Sequence, residues 1–265
     1  MRIANALLAM FVLVAVANAE DLTMVSKATH DGGAPATTTS YFSSDHIRMA
    51  QADGNDVIFD LRSGDMTLLD AKKKTYSVIT RKDFEEMAAM INERMNSPEV
   101  KQAQEQMKNL PPEQRKRMEE MMGGMFAVHV TKEGTGRTIA GYHCDNYTMT
   151  IGQFSTTEQC LTTELKFPEA TWRQFKNTLD SMQSMMRAMG PMAKGMESMT
   201  EEMQKMKGIP LASTTTTSIM GRKSVSTTEV TSISHGPIPA SAWDVPAGYA
   251  KVESPMKQAL RKQSR

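Results

Sequence analysis

Thioethers are the chemical groups this chain repeats most conspicuously. Methionine fills 25 of its 265 positions, and nine of them fall between residues 182 and 206. Met182, Met189, Met196 and Met203 form one row at heptad spacing; Met185, Met192, Met199 and Met206 form a second, and Met186 stands beside them. Two apolar positions in every seven place both rows along one seam of a helix or helix pair. Three chemistries fit such a seam. Methionine is unbranched and polarizable, so it can fill a core, or re-pack around an apolar partner of variable shape such as a lipid tail or apolar peptide. Thioethers spaced as in Met182-Met185-Met186-Met189 can converge on Cu(I), a soft ion that prefers sulfur. Exposed thioethers can also absorb oxidant as sulfoxide. A copper site needs only a few sulfur atoms, which does not account for a seam sustained over four repeats. Met87 and Met90, at helical spacing in an earlier stretch, extend the same apolar chemistry and complete the candidate ligand-binding set.

Other chemistry is sparse. Cys144 and Cys160 are the only cysteines, and no C-x-x-C spacing is present. Both lie equally far from Gly152, in flanking stretches rich in β-formers, so a disulfide between facing strands is expected. His129 and His143 fall on consecutive expected strands, where they could be neighbours, but no third ligand accompanies them. None of the five histidines stands in an H-x-x-x-H or H-E-x-x-H pattern. There is no G-x-S-x-G elbow or phosphate-binding glycine loop, and Asp53-Gly54-Asn55-Asp56 reads as a turn rather than a calcium loop. No catalytic residue, cofactor or metal is expected, and the chain does not read as an enzyme.

The elements that must position these residues begin after a leader. Met1-Arg2, the apolar run from Ala6 to Val16 and Ala17-Asn18-Ala19 have the order of a secretory signal peptide over residues 1–19. The mature chain is expected to be periplasmic or secreted, with no membrane span after cleavage. Removing Arg2 with the leader leaves equal numbers of basic and acidic side chains, which argues against a nucleic-acid partner. A short basic tail occupies 251–265.

Between leader and tail a single domain, 20–250, reads as strands interrupted by two helical insertions at about 82–122 and 168–207. Short strands are expected at 37–49, 57–61, 66–70 and 75–79, with turns at Arg62-Ser63-Gly64-Asp65 and Asp70-Ala71-Lys72. Helices follow at 82–97, 99–110 and 111–122, with breaks at Pro98, Pro111 and Gly123-Gly124. A short strand around 126–130 then leads into the cysteine hairpin, 138–151 and 156–165. After the methionine seam, which Gly190-Pro191 should kink, come strands 211–220 and 223–234. The closing segment 238–249 has two prolines and a glycine against regular structure, and Trp243, Val245 and Tyr249 to bury. It should clamp across the sheet.

The stretches DVIFDLRSGDMTLLDAKKKTYSVIT, GIPLASTTTT and IPASAWDVPAGY resemble a family of exported bacterial proteins known only as a domain of unknown function. That family in turn resembles the LolA/LolB-type lipoprotein carriers. The resemblance implies an α+β fold: a curved antiparallel β-sheet, or half-barrel, covered here by Met-rich helices. It implies a non-catalytic binder or carrier of an apolar small molecule, lipid or lipidated peptide, with an envelope protein as a further partner. A Cu(I)-binding protein and a structural envelope component remain alternatives.

Overall fold

Short alternating segments separated by turn-forming residues assemble into one unclosed sheet. The computed structural model describes residues 21–111, 113–114, 127–166, 201–219 and 221–263. The strands are β1 (Leu22–His30), β2 (Ala36–Phe42), β3 (His46–Gln51), β4 (Val57–Asp60), β5 (Asp65–Asp70), β6 (Thr75–Ile79), β7 (Val128–Ile139), β8 (Tyr142–Ile151), β9 (Ser155–Thr162), β10 (Ile209–Ile219), β11 (Arg222–His235) and β12 (Ala250–Lys251). Their order across the sheet is β12-β6-β5-β4-β3-β2-β1-β11-β10-β9-β8-β7. Two meanders, β1–β6 and β7–β11, are thus fused where β1 pairs with β11, from Leu22↔His235 to His30↔Ser226. Every pair is antiparallel except β12 with β6. The expected half-barrel appears as this curved, unclosed, mostly antiparallel sheet.

Two apolar clusters hold it. One gathers Leu22, Met24, Ile139, Cys144, Cys160, Leu165, Leu211 and Val230; the other gathers Val128, Val130, Tyr147 and Leu161. Cys160 and Leu161 are consecutive on β9, and successive strand residues point to opposite faces. At β9, therefore, both faces of the sheet are apolar.

Three local expectations are corrected. The stretch 37–49 is a hairpin, not one strand, because the buried Ser43 hydroxyl accepts the His46 amide at 3.0 Å and closes a turn over 43–45. The stretch 138–151 is likewise broken: Ala140 adopts φ 50 and, with Gly141, forms a two-residue turn between β7 and β8. The strand expected near 126–130 instead runs on to Ile139, with register shifts between Lys132 and Gly134 and between Thr135 and Thr138. Those interruptions suit an edge strand, since they spoil the ladder another chain would need.

Helix α1 (Arg81–Met95) starts with a capping box: the Thr80 hydroxyl accepts the Asp83 amide, and the Asp83 carboxylate accepts the Thr80 amide at 2.8 Å. It packs on α2 (Pro98–Lys108) and on a helix in the basic tail, α3 (Pro255–Gln263). Lys257 of α3 lies 3.5 Å from the buried Asp83 carboxylate. Burial works to raise the Asp83 pKa, but the Thr80 hydrogen bonds and the Lys257 charge outweigh it and hold the carboxyl below its ordinary value.

Candidate functional site

The described part of the methionine seam meets the sheet at the β7 edge. Val128 faces Ile151 and Val130 faces Met149 across β7 and β8, and Tyr147 and Leu161 complete a buried patch. Met206, the last seam residue, packs against this patch. An edge strand leaves amides unpaired, and one of them is captured: the Val130 amide donates to the Glu202 carboxylate at 2.8 Å. Lys205 pairs with the same carboxylate, and together, first Lys205 and then the Val130 amide, they lower its pKa. Met203, which shares the heptad seam with Met206, is 44% exposed. Residues 201–203 are helical, the chain then turns, and Gly208 carries it into β10. There φ is +112°, and an added Cβ would lie 2.3 Å from the Thr162 carbonyl oxygen, so only glycine fits this approach.

On the neighbouring strands the disulfide Cys144–Cys160 is formed, with both residues buried and a Cα–Cα separation of 5.3 Å. The two cysteines do not sit directly opposite each other, as equal spacing from Gly152 had suggested: Asn146 is the ladder partner of Cys160, and Cys144 reaches it diagonally. β7 folds closely over the bridge at Gly136, where a Cβ would stand 2.6 Å from the Cys160 sulfur and 2.5 Å from the Cys144 carbonyl oxygen. Beside it lies a polar depression of about 540 Å³, lined in part by Glu133, Arg137, Asn146, Glu158 and Gln159. Arg137 is paired there with Glu229. His129 and His143 are not neighbours: they face Thr150 and Thr138, at opposite ends of the β7–β8 ladder, roughly 24 Å apart along the strand.

The closing segment does clamp the sheet. It includes a short 3-10 helix, Ala240–Trp243, packed on β3. Trp243 stacks on His46 with ring centroids 5.2 Å apart and meets Tyr41 edge-on at 6.5 Å. Arg48 donates to the Asp56 carboxylate through Nε at 3.1 Å and Nη2 at 2.6 Å, while its Nη1 donates to the Ala242 carbonyl at 2.6 Å. Their side chains are only 15% and 10% exposed, so this pair is a fastening within the fold.

Of the expected ligand-binding residues, Met182, Met185, Met186, Met189, Met192, Met196 and Met199 lie outside the described residues. Met87 and Met90 are half-buried on α1, at the β6 end of the strand order rather than at the Val128 patch. Sequence reasoning missed Glu202, whose role depends on a strand edge that no local pattern announces. Among the described residues no group of three or more His, Cys, Asp or Glu side chains is placed to hold a metal ion, and no helix is long and apolar enough to cross a membrane.

No curated protein matches the chain. Among solved structures it is similar to an uncharacterized conserved protein from Thermus thermophilus, at 8% identity and TM-score 0.43, covering 89% of this chain and 91% of that one. It is also similar to MucB in the MucA/MucB complex of Pseudomonas aeruginosa, at 13% identity and TM-score 0.38, covering 87% of this chain and 56% of that one. A LolA superfamily protein from Nitrosomonas europaea matches at 6% identity and TM-score 0.24, covering 85% and 89%. Residues 82–249 match a family profile described as a domain of unknown function, and over that majority of its length the chain belongs to the DUF4412 family.

Proposed function

We propose that the protein is a non-catalytic, periplasmic or secreted binder or carrier of an apolar ligand, a lipid or a lipidated or apolar peptide, held between the curved sheet and its methionine-rich segments. The observation that carries this reading is the seating of Met206 on the Val128, Val130, Tyr147 and Leu161 patch, with Met203 exposed beside it. An apolar sheet face met by flexible thioethers can be re-packed around a guest without breaking the strand ladder, because methionine has several low-cost rotamers where leucine would have few. Ladder hydrogen bonds carry the architecture, so side chains can move while strands do not. The expected secretory leader at residues 1–19 agrees with this reading, since an exported carrier would work where lipids and lipidated proteins must cross water.

Native mass spectrometry of protein purified from the exported fraction, with and without Cu(I) under reducing conditions, tests the reading. The expected result is a co-purifying lipid-sized mass that denaturation releases. Stoichiometric copper uptake, abolished when Met182, Met185, Met186 and Met189 are replaced by leucine, would overturn it in favour of a metal site. A bare mass in both conditions would overturn it in favour of a structural role.

A further inference from the structure

A turn and a neighbouring strand end expose large apolar side chains. Phe154, in the β8–β9 turn, is 41% exposed, and Ile219, at the end of β10, is 60% exposed. The two meet: the Ser218 amide, near the end of β10, donates to the Phe154 carbonyl at 2.7 Å. The β8–β9 turn asks for polar, conformationally adaptable residues, so turn chemistry does not explain Phe154. Cations flank both side chains. Arg222 is the ladder partner of Ile219, and Lys223 that of Ser218. Both are exposed, and among the described residues neither is paired with a carboxylate. The carboxylate on the adjacent β1–β2 turn, Asp31, is already engaged by the Val225 amide at 2.7 Å and the Ser224 hydroxyl at 3.2 Å. One end of the sheet therefore presents an apolar tip flanked by two cations, Arg222 and Lys223, against the single carboxylate of Asp31, whose charge its neutral donors leave in place.

We infer that this end of the sheet docks on an anionic lipid surface, with Phe154 and Ile219 entering the headgroup boundary and Arg222 and Lys223 meeting lipid phosphates. The charge decides between occupants. A second copy of the chain would bring the same two cations against themselves, and a neutral apolar partner would leave them unanswered, whereas an anionic bilayer satisfies both features at once. Two apolar side chains and two cations suffice only for weak, reversible attachment, as a protein that visits a membrane requires. The inference stands on residues separate from the Met206 patch and does not depend on the carrier reading.

The test is sedimentation of the exported protein with sucrose-loaded vesicles of phosphatidylcholine, alone or mixed with phosphatidylglycerol. Wild type should bind the mixed vesicles, lose binding as salt rises, and ignore pure phosphatidylcholine. Arg222→Gln/Lys223→Gln should weaken partition about thirty-fold, from two cations at an anionic surface. Phe154→Ser/Ile219→Ser should weaken it at least about ten-fold with an unchanged melting temperature, since both positions are exposed. Absence of wild-type binding to mixed vesicles, equal binding to neutral ones, or full binding by the Phe154→Ser/Ile219→Ser variant would each overturn the inference. So would a concentration-dependent dimer that this variant abolishes, which would make the tip a self-association surface.

Discussion

Breaking the Cys144–Cys160 bridge should destabilise the protein by about 3 kcal/mol. The two cysteines are separated by 16 positions, and the loop-entropy estimate for a closed loop of that length gives about 3 kcal/mol at room temperature. For a chain of this size that corresponds to a melting temperature lower by about 6–12 °C. Urea unfolding of the oxidised and the reduced wild-type protein measures the difference directly. Cys144→Ala/Cys160→Ala should lose somewhat more, because both sulfurs are buried beside Leu22 and Leu211 and their removal leaves a small void costing about 1 kcal/mol. The same reductant should leave that variant unchanged, which controls for effects elsewhere. Because the sulfurs are 1% and 4% exposed by residue, reduction requires the hairpin to open, and its rate should become independent of reductant at high concentration. Equal urea midpoints for oxidised and reduced protein would refute the reasoning. Such a result would mean that the unfolded chain keeps the β8–β9 hairpin closed without the bond, leaving no loop entropy for the bridge to remove.

Arg48→Ala should cost about 3–5 kcal/mol, because it leaves the Asp56 carboxylate nearly buried with, among the described residues, only the Gln51 amide as partner and removes the Arg48 donor from the Ala242 carbonyl. Urea unfolding reads the loss, Trp243 fluorescence should shift to the red as the clamp loosens, and a loss below about 1 kcal/mol would contradict the fastening role. Met206→Gln should destabilise by about 1–2 kcal/mol, a half-buried fraction of the usual core deletion cost, while Met203→Gln should be nearly neutral. The contrast between the two in thermal melts is the informative quantity. Stability should also fall with acid through Asp83. Its folded-state pKa lies below the ordinary value of 3.8, so its contribution is fully present above that value and vanishes as pH falls through the folded value. Asp83→Asn should remove this part of the acid dependence, and an unchanged pH profile would show that the α1–α3 contact carries none of it.

What could be read from the sequence depended on whether a structural decision was local. β4, β5 and β6 were legible because alternation and turn residues coincide there, and the expected strand 75–79 is the observed Thr75–Ile79. The turn at Ser43 was not, because it is closed by a hydroxyl and a buried side chain within a run that alternates like a strand. The Ala140-Gly141 turn was hidden by β-formers on both sides. Residues 131–137 fall in no expected strand, yet they form the edge of the sheet, where outward side chains need no apolar partner and glycine bulges are tolerated. The pairing of β1 with β11 joins residues about 200 positions apart in the chain, and no pattern within either strand specifies it. The parallel addition of β12 to β6 follows from where the closing segment lands, which is fixed by Arg48 and Trp243 rather than by residues 250–251.

The methionine seam shows the same limit at the candidate site. Heptad spacing groups Met203 with Met206 on one stripe, and that inference assumes that the helix continues through both. The helical residues end at 203, the Met206 amide donates to the Met203 carbonyl across a turn at 3.1 Å, and Gly208 turns the chain into the ladder opposite Thr162. Met206 is therefore delivered to the sheet by the turn and by the Glu202 carboxylate on the Val130 amide, while Met203 is left to solvent. Periodicity identifies which residues share a stripe; which part of the stripe is covered is set by polar contacts at its end. A ligand that uses this surface must accordingly compete with one fixed methionine and can recruit its exposed neighbour. Met206→Leu should then preserve stability while reducing the range of apolar ligands retained in native mass spectra, and Met203→Leu should alter retention without touching the fold. Unchanged ligand retention in both variants would exclude the described end of the seam from the binding surface.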